Sequence, residues 1–161
     1  MWQDLAQIIA TLINEYQKLQ KLGEEKRAVL AAVDLKSLEK IVLQEQTIIE
    51  QINKAETKRQ DVINQLAKQY VNIQPSMAMR DVWRQCSDDK MRDVLERTHK
   101  TLEDVVKRVQ ALQENNEIMI SAALNVINFK LNQLGGTTVE PSYGQSGQEK
   151  VSHEKNLDLE V

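Results

Sequence analysis

The sequence predicts an all-α protein: an elongated antiparallel helical bundle or coiled coil of three long helices and one short helix, followed by a disordered C-terminal tail. Three observations carry this. Only five Gly and two Pro occur among 161 residues, and aromatics make up 4 % against 41 % apolar residues overall, a composition that favours helices over the turn-rich layout of a sheet protein. Apolar residues recur at alternating steps of three and four along three long stretches. Cap and stop residues stand between those stretches. The expected layout is a bundle domain over residues 1–134, with helices at about 2–33, 35–72, 77–86 and 88–134, and a flexible tail over 135–161.

The first helix is read from Leu5, Ile9, Leu12, Tyr16 and Leu19, a seam that resumes at Leu30 and Val33. Gly23 and Lys26 interrupt it, so looser packing and a slight bend are expected there. A tight reversal near Val33 and Asp34 follows, because the Asp34 carboxylate can accept the free N–H groups of a new first turn. The second helix carries Leu38, Ile41, Ile48, Ile49, Ile52, Val62, Ile63, Leu66 and Tyr70 and ends before Pro75. The two form an αα-hairpin with facing seams.

Ser76 is a candidate cap for a short helix that brings Val82 and Trp83 onto the bundle as an end plug. Ser87 is a candidate cap for the third long helix, whose first turn gains from Asp88 and Asp89 near its positive end. That helix has the most regular seam of the chain: Met91, Leu95, Thr98, Leu102, Val105, Val109, Leu112, Asn116, Met119, Ala123 and Val126. Gly135 and Gly136 can adopt the left-handed conformation that stops a helix. Beyond them, Thr137 to Val161 holds too few large apolar side chains to offset the entropy of ordering.

Charge and composition exclude several function classes. With 21 basic and 24 acidic residues well mixed and a net charge of −3, the chain offers no concentrated positive field for nucleic acid or an anionic membrane. No apolar run approaches the ~20 residues that span a bilayer, and Met1-Trp2-Gln3-Asp4 lacks a basic leader region, so membrane insertion is not expected and a cytoplasmic location is. Cys86 is the single cysteine, which leaves no intramolecular disulfide to form. Glu96 and His99 have the Glu-x-x-His spacing of di-iron bundles, yet the second such pair is missing and the other histidine, His153, falls in the tail; the pair reads as a solvated helix face. No Gly-rich phosphate loop and no nucleophile with a histidine partner is present, so neither catalysis nor a metal or other cofactor is expected.

The informative feature is the end of the third long helix, Ile118 to Leu131. Besides Met119, Ala123 and Val126, a second stripe runs Ile120, Leu124, Ile127, Leu131 and Leu134 at helical spacing. Two coverings fit it: the other helices of the bundle, or a partner helix laid along it. Met119 and Phe129 suit an adaptable contact surface, and Asn116, at a seam position, suits the fixing of register. Tyr143, flanked by turn residues in the tail, is a candidate docking residue.

Three stretches resemble the FlgN-like flagellar export chaperones. Lys26-Arg27-Ala28-Val29-Leu30 leading into Asp34-Leu35-Lys36-Ser37-Leu38-Glu39 is similar to the turn between that family's leading helices. Leu112-Gln113-Glu114-Asn115-Asn116 before an apolar run is similar to its leucine-x-x-asparagine-x-x-asparagine region, with imperfect spacing. Tyr143-Gly144-Gln145-Ser146-Gly147 is similar to its tyrosine-glycine-x-x-glycine ending. The resemblance implies a cytosolic chaperone that holds the hook-filament junction proteins FlgK and FlgL by their C-terminal helical regions and delivers them unassembled to the flagellar export apparatus. It places cargo contacts on Leu112, Asn116, Met119, Ile120, Ala123, Leu124, Ile127 and Leu131, and the export-gate contact on Tyr143. The competing reading is a structural coiled-coil protein, a homodimer closed through the same stripe.

Overall fold

The computed structural model describes residues 1–135; the expected tail, with Tyr143, lies outside the described residues. Four helices follow in order: α1 (Trp2–Ala32), α2 (Leu35–Gln69), α3 (Met79–Trp83) and α4 (Asp89–Gly135), with no strand among the described residues. The chain divides into two compact units, Met1–Glu117 and a second that begins at Ile118.

In the first unit α1 and α2 form the expected hairpin, closed at one end by a compact reversal. Val33 takes a left-handed conformation, φ 55° and ψ 36°. Its N–H donates to the Leu30 carbonyl, and that of Asp34 reaches back to Val29, so two orphan carbonyls at the end of α1 are satisfied. Asp34 then caps α2, its carboxylate accepting from the Ser37 N–H at 3.1 Å and the Ser37 hydroxyl at 2.6 Å. Along the hairpin Lys26 on α1 pairs with Glu45 on α2 at 2.7 Å, both largely shielded from water. At the far end the Trp2 indole N–H donates to the Tyr70 hydroxyl at 3.2 Å, with the rings 5.6 Å apart.

Two apolar clusters hold this unit. Leu5, Ile9, Leu66, Ile73, Val82, Trp83 and Leu95 gather at the end where α3 lies, so Val82 and Trp83 do plug the bundle. Leu12, Leu19, Ile52, Ala55, Val105 and Val109 form the second, drawing on α1, α2 and α4. Leu5, Ile9, Leu12, Leu66 and Leu95 are wholly buried, each worth roughly 1.5–3 kcal/mol of transfer free energy.

Three local expectations are corrected. Ser76 does not cap α3, whose N-cap position is Ala78 with no side-chain hydrogen bond; Ser76 sits in a turn instead. The cap of α4 is Asp88 rather than Ser87: its Oδ1 accepts from the N–H groups of Lys90 (2.9 Å) and Met91 (3.2 Å), a carboxylate being the stronger acceptor for a helix's first turn. The stretch at Gly23 is closely packed rather than loose. Gly23 is buried, and a methyl group there would lie 3.7 Å from the Leu112 side chain on α4. Gly23 thus belongs to the seam as a small buried residue within contact range of Leu112 and Asn116, which a pattern of apolar letters does not register.

Candidate partner-binding helix

α4 begins in the first unit and carries the residues to which partner binding was assigned. Its cap at Asp88 is braced by Arg92, whose guanidinium pairs with Asp89 and donates to the Cys86 carbonyl at 3.2 Å. Leu95, Val105, Val109 and Asn116 are the buried positions of the helix, the seam the periodicity defined. Thr98, Leu102 and Leu112 are partly buried between them.

Asn116 is the last buried residue on α4, 3 % exposed. Its Nδ2 donates to the Gly23 carbonyl at 2.9 Å, while its Oδ1 is buried without a protein partner. A side-chain amide donating to a helix carbonyl holds α4 at one longitudinal setting against α1, the register role a seam asparagine serves. Leu112 packs against the same glycine. Of the eight assigned contact residues, these two therefore face α1.

The other six lie in the second unit. Met119, Ile120 and Ala123 are partly buried, whereas Leu124 is 51 %, Ile127 38 % and Leu131 59 % exposed. The structure thus leaves the second stripe largely in contact with water. Residues outside both stripes are exposed as well: Ile118 by 68 % and Phe129 by 63 %. The two-stripe reading passed over Ile118, although its signal was present in the sequence as an apolar residue on the far side of an apolar helix. Contiguous exposed apolar surface of this kind marks an interaction site more often than scattered single residues do.

The first unit gathers no comparable chemistry. An open groove of about 540 Å³ between α1 and α2 is lined by mixed polar and charged residues including Gln7, Thr11, Glu15, Lys54 and Lys58. Among the described residues no group of three or more His, Cys, Asp or Glu side chains is placed to hold a metal ion. His99 instead packs against Trp83 with the rings tilted by 56° and their centroids 4.7 Å apart, and its Nε2 lies 3.2 Å from Glu103; Glu96 is exposed on the same helix. Burial holds the imidazole below its ordinary pKa, with Arg59 and Arg80 acting in the same direction and Glu103 opposing. Cys86 is buried and unpaired. No described helix is long and apolar enough to cross a membrane.

Compared with known proteins, residues 1–150 of the chain match the family model described as FlgN protein. No curated protein and no solved structure matches it.

Proposed function

The chain belongs to the FlgN family of flagellar export chaperones, and on that footing we propose that it binds the C-terminal helical regions of the hook-filament junction proteins FlgK and FlgL, keeps them unassembled in the cytoplasm and delivers them to the export apparatus. The observation that carries the proposal is the exposed apolar surface of α4 beyond Asn116. Met119, Ile120, Ala123, Leu124, Ile127 and Leu131 provide the cargo contacts, and Leu112 and Asn116 set the helix that presents them. A cargo with exposed helical ends would otherwise self-associate, and covering those ends with an apolar helix prevents it without nucleotide or metal. Release follows from competition at the export apparatus, where Tyr143 is the docking residue, so affinity for cargo should be modest.

The test is calorimetry of the full-length protein with the C-terminal helical segments of FlgK and FlgL. Wild type should bind at least one of them. The Ile120→Asp/Leu124→Asp protein should bind at least about 100-fold more weakly, since two carboxylates would have to be desolvated. A folded wild-type protein that gives no heat with either segment would remove the proposal.

A further inference from the structure

The exposed apolar side chains of α4 beyond Glu117 do not share a face. An α-helix turns by about 100° per residue, so Ile118 and Ile127, nine residues apart, project in opposite directions. Leu124 and Leu131 lie beside Ile127, Phe129 lies beside Ile118, and Val126 falls between the two groups. Every one of these residues is exposed, Val126 by 55 %. The arc that remains carries Ser121, Asn125, Asn128 and Asn132, at steps of four, three and four.

Charge is nearly missing from this segment. From Ile118 to Gly135 the one ionisable side chain is Lys130, in a chain in which 28 % of residues are charged. An amphipathic helix that rests on a partner with its back in water carries charges on that back. Here the polar ridge consists of amides and a hydroxyl. Such groups can be enclosed at moderate cost where hydrogen-bonded, whereas an enclosed charge is far more costly unless paired. Apart from Lys130, which projects on the side of Met119 and Ala123 and whose long stem can carry its charge outward, the apolar arcs and the ridge between them are therefore suited to enclosure.

We infer that this segment is a guest helix: it inserts into a groove formed by two or more helices of the cargo. The groove's lining is apolar, with uncharged amide or hydroxyl side chains opposite Ser121, Asn125 and Asn128. The inference rests on the chaperone reading and specifies what its occupant presents. A second copy of this chain is a poorer occupant. One facing helix covers a seam of about two positions in seven and would leave either Ile118 and Phe129 or Leu124 and Ile127 in water.

The experiment uses the full-length protein and purified FlgK and FlgL, with calorimetry on wild type, Leu124→Asp, Phe129→Asp and Asn128→Asp at about 50 mM and about 500 mM salt. Leu124→Asp and Phe129→Asp place a carboxylate in each of the two apolar arcs and Asn128→Asp places one on the polar ridge, beside Leu124, all at residues outside the buried clusters, and circular dichroism checks that helix content is retained. A guest helix requires all three variants to bind at least about 100-fold more weakly, and the wild-type Kd to change less than about threefold between the two salts. One variant binding like wild type shows a helix covered on one side only, which overturns the inference and leaves the chaperone reading intact. A tenfold or larger salt effect overturns the uncharged lining. Wild type binding neither cargo removes both readings, and a wild-type dimer that Leu124→Asp and Phe129→Asp dissociate assigns the surface to a second copy instead.

Discussion

Val33 shows how a single residue can be at odds with its position. The reversal between α1 and α2 needs a left-handed residue, and the chain supplies a β-branched one whose side chain is 61 % exposed and so gains little from packing. Holding an L-residue of this shape at φ 55° costs roughly 1–2 kcal/mol. Val33→Gly should therefore raise the unfolding free energy by about 1 kcal/mol, after allowing for the greater freedom of glycine in the unfolded chain. Urea denaturation of the two proteins would check this; an unchanged or lower midpoint would show that Val33 is not strained. The neighbouring Asp34 cap was readable from sequence because a carboxylate before an apolar-periodic run has one local use. The strain at Val33 was not, because it follows from a backbone angle.

At the scale of elements, α3 depends on its neighbours more than on itself. Five residues cannot sustain a helix alone. It is held by Val82 and Trp83 in the core and by the Trp83 ring against His99 of α4. That contact makes the end of the bundle sensitive to acid. His99 has its pKa lowered from the ordinary 6.5, so the unfolded chain binds the proton more readily than the folded one. The corresponding stability is fully present above about pH 6.5 and is lost as the pH falls through and below that value. The denaturation midpoint should decline from pH 7.5 to pH 5.5 in wild type and decline less in His99→Gln; equal slopes would show that His99 carries none of the effect. The Glu96–His99 pair reads in the sequence as a solvated helix face; Glu96 is exposed as expected, but His99 is partly buried, its partners in the fold being Trp83 and Glu103.

At the scale of the whole molecule, the buried core and the proposed cargo surface lie in different parts of the chain. Both buried clusters lie within Met1–Glu117, and the exposed apolar stripe begins after it. A chain ending at Glu117 should therefore unfold cooperatively with a Tm within about 5 °C of the full-length protein, and should not bind FlgK or FlgL. Thermal circular dichroism and calorimetry would show it; loss of cooperative unfolding would mean that the later residues are part of the core. The sequence by itself determined the helices, the αα-hairpin and the apolar width of distal α4, because these follow from local periodicity and from cap residues that act within one turn. It also marked Asn116 as a register residue. Only the tertiary structure decided that Asn116 meets Gly23, that this glycine is a buried member of the seam rather than a break, and that both stripes turn to water beyond Ala123. Burial is a property of what stands opposite a residue, and an apolar stripe is written in the same letters whether its cover comes from the same chain or from another molecule.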